Sequence, residues 1–189
     1  GATPQRTDPA VSAPGVLFAV LGLAALAAPF MTLAANRIVA GEGIPAWGLG
    51  VPGGGLPGLA ALCAGLLMGL PANRPRLQLA GAALGLAGLV WQLGMGAATL
   101  LEGAGEFARV SPGTGFWCLL VVFALLMADA LSSLAPGPLV RAGLLALALA
   151  FVALVLRWDA LSDLSILQEY ASRKDAFSDA FWRHLGLAF

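Results

Sequence analysis

The sequence has few charged side chains. Only 11% of its 189 residues are Asp, Glu, Lys or Arg, whereas 59% are hydrophobic. Because a soluble globular domain carries roughly 25% charged residues, this composition excludes an ordinary soluble domain and indicates an integral membrane protein. Ten basic residues balance ten acidic residues, so the net charge gives no reason to expect a nucleic acid partner.

Residue types that carry catalysis or bind metals are also scarce. The single histidine, His184, excludes a histidine metal cluster. The two cysteines, Cys63 and Cys118, both lie in apolar runs, where cysteine usually serves as a small buried hydrophobic residue. The patterns HExxH, CxxC and GxSxG do not occur in the sequence. We therefore predict no catalytic residue, no metal site, no cofactor and no enzymatic activity.

Long apolar runs dominate what is present. About 20 helical residues, at about 1.5 Å each, cross a hydrocarbon core of roughly 30 Å. The runs predict an all-α, polytopic membrane helix bundle with about five transmembrane helices, at residues 16–35, 56–70, 77–101, 116–134 and 139–156. A cleaved secretory signal is the alternative for the first run, but the run is long for a signal and lacks a clear cleavage site.

Glycine and proline give the finer predictions. Pro29 is expected to kink the first span, because proline removes a backbone donor. The third span carries small residues that would let another helix approach closely, namely Gly81, Ala82, Gly85, Gly88, Gly94 and Gly96. Residues 41–58, rich in glycine and proline, are predicted to form a flexible outer loop. Ser111 or Thr114 is expected to cap the helix that begins near Phe116.

Basic residues in the short connections predict the orientation, because Lys and Arg remain preferentially cytoplasmic. An N-terminus inside the cell places a group of four arginines in the cytoplasm, Arg6, Arg74, Arg76 and Arg141. The outer loops then hold a smaller mixed set, Arg37, Arg109, Glu42, Glu102 and Glu106. Trp47, Trp117 and Trp158 fall near the same outer boundary, where indole side chains prefer to lie.

These assignments divide the chain into four parts. Residues 1–15 are predicted to form a cytoplasmic tail, and residues 16–157 a membrane module of five spans. In residues 158–185, apolar residues recur at three- and four-residue steps, which predicts an amphipathic helix on the periplasmic surface. Residues 186–189 turn apolar again and are expected to begin a further span.

Asp129 is the only acidic residue inside a predicted span. Because a carboxylate at the centre of a membrane helix costs roughly 2.5–3.5 kcal/mol, such a residue is a functional candidate. Its place near the cytoplasmic end of its helix also allows a structural ion pair with Arg141 across the turn at residues 136–138. A transport or proton-transfer role, an intramembrane enzyme and a structural pair all remain open for these two residues.

Three segments resemble a known family. They are NRIVAGEG at residues 36–43, ARVSPGTGFW at residues 108–117 and LSDLSILQEYASRKDAFSDAFWRHL at residues 161–185. Together they resemble the N-terminal extension of bacterial osmoprotectant ABC importer permeases of the glycine betaine and choline class. The third segment is similar to the elbow that leads into the permease core in that family.

The resemblance implies a transport subunit of the bacterial inner membrane that crosses the membrane several times. Its implied partners are an ATP-binding subunit, which hydrolyses ATP, and a periplasmic substrate-binding protein, both reached through the full-length permease. The family's coupling motif, Glu-Ala-Ala followed by glycine, does not occur in the sequence, so contact with the ATPase is expected elsewhere in the permease. The alternative is a non-enzymatic membrane scaffold that recruits another membrane protein through the small residues of the third span.

Overall fold

The computed structural model describes residues 10–157. Its helices are α1 (Ala13–Leu26), α2 (Leu56–Met68), α3 (Pro75–Leu101), α4 (Thr114–Leu134) and α5 (Pro138–Arg157). Its strands are β1 (Met31–Ala34), β2 (Glu42–Ile44) and β3 (Arg109–Pro112). The predicted amphipathic helix at 158–185, the four residues after it and residues 1–9 of the predicted tail lie outside the described part of the chain.

The structure is mostly helical, but it supports fewer spans than the sequence predicts. Within residues 10–157, two helices, α3 and α4, are long and apolar enough to cross a membrane by length and composition. α1 has 14 residues and α2 has 13, which gives each a length of only about 20 Å. The prediction of five transmembrane helices is therefore not supported, although each predicted span does contain a helix.

The first predicted span, residues 16–35, is wrong in its second half. α1 ends at Leu26, and residues 31–34 form the central strand of a three-stranded antiparallel sheet with the order β2-β1-β3. Met31 is paired with Ile44 on one side and with Pro112 on the other. Pro29 accounts for the change, because a proline ends the helical hydrogen-bond pattern rather than merely kinking it. The expectation of an all-α fold needs the same correction.

The predicted flexible loop at residues 41–58 is in fact ordered structure. It contains β2 and two short 3-10 turns, Ala46–Gly48 and Pro52–Gly55. Ala46, Leu49 and Val51 are buried against the helices. Gly53, Gly54 and Gly55 have φ values of 74°, 66° and 69°, a left-handed conformation that glycine adopts without steric cost. The glycine run therefore makes a defined turn into α2.

Four of the helices form a bundle around α3. α3 packs against both α2 and α4, and α1 packs against α4 and α2. Side chains from all four helices and from the strands share one core, which includes Leu62, Leu89, Leu119 and Phe123. At the start of α5, residues 138–143 are exposed.

The bundle has two different ends. The sheet end comprises the three strands, the two 3-10 turns and the loop after α3, and its Met31 and Leu49 lie against Gly96 of α3. The turn end comprises the connections at 69–74 and 135–137, and there the amide of Ser12 donates to the Leu70 carbonyl at 2.8 Å. In the predicted orientation, the sheet end faces the periplasm and the turn end faces the cytoplasm.

Candidate functional site

The small residues of α3 form a close seam with α2, as the sequence predicts. A Cβ atom built at Gly65 of α2 would lie 2.6 Å from the carbonyl oxygen of Gly81, and one built at Gly81 would lie 2.8 Å from that of Gly65. A Cβ at Gly85 would overlap the ring of Phe123 from α4. Because this face of α3 is filled by α2 and α4, it offers no open surface for another membrane protein. The scaffold alternative loses the surface on which it was based.

Gln92 connects this seam to the sheet end. Its side chain is fully buried, and its Nε2 donates to the carbonyl of Ala46 at 2.7 Å. The same amide lies against the backbone of Gly55 and Gly58, so any side chain at either glycine would collide with it. Its Oε1 is buried and has no hydrogen-bond partner in residues 10–157. The side chain therefore ties α3 to the first 3-10 turn and to the start of α2.

Gln78 plays the matching role at the turn end. It is only 3% exposed, and its Nε2 donates to the carbonyls of Gly69 at 3.2 Å and Pro71 at 2.9 Å. Sequence reasoning missed both glutamines. The available signal was their spacing, because residues 14 apart lie nearly on the same face of a helix that is otherwise apolar. Two amides on one face of an apolar helix indicate buried polar connections rather than solvent contact.

The sheet end also carries an open cleft of about 320 Å³. The loop between β1 and β2 and the segment before β3 line it with Asn36, Arg37, Ile38, Glu106, Phe107, Ala108 and Arg109. The Asn36 Oδ1 accepts hydrogen bonds from the amides of Ile38 at 2.9 Å and Val39 at 3.0 Å, which fixes the loop. Ile38 is 94% exposed and Phe107 is 75% exposed. The residues that line the cleft thus include two arginines, one glutamate and one phenylalanine.

Hydrogen bonds within the sheet hold the two sides of this cleft in place. The hydroxyls of Thr32 and Ser111 are hydrogen-bonded to each other across β1 and β3.

The amide of Gly115 donates to the carbonyl of Pro29 at 2.8 Å. Neither Ser111 nor Thr114 caps α4, because the cap position is Gly113 and no side chain bonds to the helix end. The predicted side-chain cap is therefore wrong, and the chain after α1 supplies the acceptor instead.

The structure places the two predicted candidates, Asp129 and Arg141, at the turn end. Asp129 is half-buried near the end of α4, and its backbone carbonyl accepts a bond from Ser133 Oγ at 3.1 Å. Arg141 is exposed in the first turn of α5. No ion pair between the two is recorded in the described residues, so their pairing and any role in transport remain predictions.

The other residues considered at the sequence level fall in different places. Cys63 and Cys118 are both free and exposed in the structure, rather than buried. Trp47 and Trp117 are both at the sheet end and about half exposed, which agrees with their predicted position at one boundary. His184 and Trp158 lie outside the described residues. No group of three or more metal-ligating side chains occurs between residues 10 and 157.

A helical bundle with two helices that are long and apolar enough to cross a membrane, a buried glycine seam and a small sheet at one end defines a domain held together mainly by helix packing. A comparison with protein families places it more closely, because residues 12–167 match the family described as ABC transporter permease YehY, N-terminal domain. The match covers more than half of the chain, and the chain belongs to this family. No curated protein and no solved structure matches the chain.

Proposed function

We propose that this chain is the N-terminal membrane region of the permease subunit of an ABC importer for osmoprotectants such as glycine betaine or choline. The family assignment supports a permease subunit, which is a transport component rather than a catalyst. The osmoprotectant class is supported by the resemblance of the segments at residues 36–43 and 108–117. In this proposal an ATP-binding subunit and a periplasmic substrate-binding protein join it through the full-length permease in the bacterial inner membrane, where it crosses the bilayer several times.

One geometric observation carries the proposal for the substrate. The two described segments that resemble osmoprotectant permeases are 65 residues or more apart in the sequence, yet both line the cleft at the sheet end. Arginine guanidinium groups bind carboxylates with charge-assisted hydrogen bonds. A carboxylate and an aromatic ring both attract a quaternary ammonium group. Because Arg109, Glu106 and Phe107 all line the cleft, the cleft is complementary to a small zwitterion that carries a carboxylate and a quaternary ammonium.

The cleft serves as a surface that contacts the substrate before transport, rather than as the transport path. The interior of α2, α3 and α4 is filled at the glycine seam, where a single added methyl group would collide. A solute cannot pass between helices that are in backbone contact. Transport itself is assigned to the remainder of the permease.

Uptake of labelled glycine betaine by the full-length transporter tests this function. We expect Phe107→Ala to raise the KM for betaine by about two- to fivefold at unchanged kcat, because an exposed cation–π contact contributes about 0.5–1 kcal/mol. Glu106→Gln should raise the KM by up to about fivefold, because an exposed ion pair contributes about 0–1 kcal/mol. Trp117→Ala is the matched control, since Trp117 is also exposed at the sheet end but does not line the cleft.

Two results would contradict different parts of the proposal. Unchanged KM values in both cleft variants would remove the cleft from substrate contact. An intact transporter that takes up neither betaine nor choline would exclude the substrate class. Deletion of residues 1–160 tests the module itself, because retained uptake and retained binding of the ATP-binding subunit would make the module dispensable.

A further inference from the structure

A second cleft lies at the turn end, on the side opposite the sheet. It has a volume of about 410 Å³ and lies between the connection from α2 to α3 and the last residue of α4. Its lining residues are Asn73, Arg74, Pro75, Arg76, Leu77 and Leu134. Both arginines are exposed, and both leucines are half-buried. The cleft therefore combines two cationic groups with an apolar wall.

The connection that leads into the two arginines, residues 69–74, is held from two directions. Gln78 Nε2 bonds to the carbonyls of Gly69 and Pro71 from inside the bundle. From outside, the amide of Ala72 donates to the carbonyl of Ala10 at 3.1 Å, and Val11 forms a β-bridge with Pro71. Because the backbone is fixed on both sides, a ligand of the arginines does not have to order this loop on binding.

The charge in this cleft has one sign. No acidic side chain lines it. Asp129, the acid that precedes Leu134 on α4, is five residues earlier and therefore about 7.5 Å deeper along the helix axis. The amides of Leu77 and Gln78 already donate to the Arg74 carbonyl at 2.9 and 3.0 Å. The attraction for an anion therefore comes from the two guanidinium groups rather than from the free amides of the helix end.

We propose that this cleft binds the phosphate of an anionic phospholipid. Arg74 and Arg76 would donate to its non-bridging oxygens, since guanidinium groups match phosphate with paired hydrogen bonds. Leu77 and Leu134 provide an apolar surface for the lipid next to the phosphate. α3 and α4, which flank the cleft, are both long and apolar enough to cross a membrane. A free phosphate ion would gain nothing from this apolar wall, so a lipid matches the lining better. The proposal uses the membrane location of the proposed function but not its substrate.

The test is lipid binding to the full-length permease in detergent, measured by native mass spectrometry with added phosphatidylglycerol. Each basic residue near an anionic surface contributes about 1 kcal/mol, or about a fivefold change in affinity. We therefore expect about fivefold weaker binding for Arg76→Gln and about 25-fold weaker binding for the double variant with Arg74→Gln. Arg76→Lys, which keeps the charge, should lose less than Arg76→Gln.

Arg141→Gln is the matched control, because it removes one exposed arginine at the turn end that does not line the cleft. An equal loss in this control would show diffuse attraction to the basic end and would overturn the site, as would unchanged binding in Arg76→Gln. Inorganic phosphate in large excess should fail to displace the lipid, and displacement would assign the site to free phosphate instead. Arg76→Gln leaves Arg74, the residue that caps the start of α3, unchanged, so the helix should still form. Because no transport is measured, the result does not depend on the substrate assignment.

Discussion

The helices α3 and α5 have nearly the same apolar composition, but one face of α3 is buried in the bundle, whereas residues 138–143 at the start of α5 are exposed. Glycines recur in α3 at positions 81, 85 and 88, three and four residues apart, and all three are buried. α5 contains the single glycine Gly143, and a Cβ built there would meet no atom within 4 Å. Small residues at helical spacing let backbones approach, whereas hydrophobic content alone does not select a partner. The spacing of glycine, rather than hydropathy, distinguishes α3 from the exposed first turns of α5.

The buried side chains extend this difference. α3 carries two buried glutamines, each bonded to a backbone carbonyl of another segment. The polar residue in the first part of α5, Arg141, is exposed. α3 therefore organises both ends of the bundle.

The largest effect is expected from filling the glycine seam. Gly85→Leu would force its side chain into the ring of Phe123, and overpacking of this kind costs about 1–3 kcal/mol or more. The midpoint of thermal unfolding in detergent would fall. Gly143→Leu adds the same side chain on α5, where the position is exposed and an added Cβ would meet no atom within 4 Å, and should leave the midpoint almost unchanged. If both variants were equally stable, the seam would not have the close packing described above.

An intermediate effect is expected from the buried amide of α3. Gln92→Ala leaves the Ala46 carbonyl without its donor and opens a cavity beside Gly55 and Gly58, so we expect a loss of about 1–3 kcal/mol. Thr99→Val is the control, because the Thr99 hydroxyl is exposed and bonds only within its own helix, to Met95. Hydrogen exchange measures the consequence: in Gln92→Ala the amides at the sheet end should exchange faster than those at the turn end. Equal protection at both ends would contradict the link between Gln92 and the sheet end.

The sequence predicted the long helices well. Residues 77–101, 116–134 and 139–156 agree with α3, α4 and α5 to within two residues at each end, because long apolar runs bounded by proline, glycine and charge have few alternatives. The contact of the α3 glycines with α2 could also be predicted, since their spacing places them on one face.

The sheet could not be predicted in the same way. The strand residues MTLA continue the apolar run of α1, and a short apolar run does not by itself distinguish helix from strand. β1 pairs with β3, which follows it by more than 70 residues, so the pairing depends on a contact that no local pattern encodes. The cleft at the sheet end shares this origin, because its two sides meet only when β1 and β3 pair. The sequence therefore places the two arginines in outer loops but does not predict that they line the same cleft.

The smallest effect is expected where the packed bundle joins α5. The Asp129 carboxylate is half-buried and Arg141 is exposed, and an exposed ion pair contributes about 0–1 kcal/mol. In a double-mutant cycle with Asp129→Asn and Arg141→Gln, we expect a coupling free energy below about 0.5 kcal/mol, and uptake in Asp129→Asn close to that of the unchanged transporter. Coupling well above 1 kcal/mol would show that a desolvated ion pair holds α5 to α4. The start of α5 would then be anchored to the bundle, as α3 is. Loss of uptake in a stably folded Asp129→Asn variant would instead assign the carboxylate to transport, because substitution by asparagine preserves its size and removes only its charge.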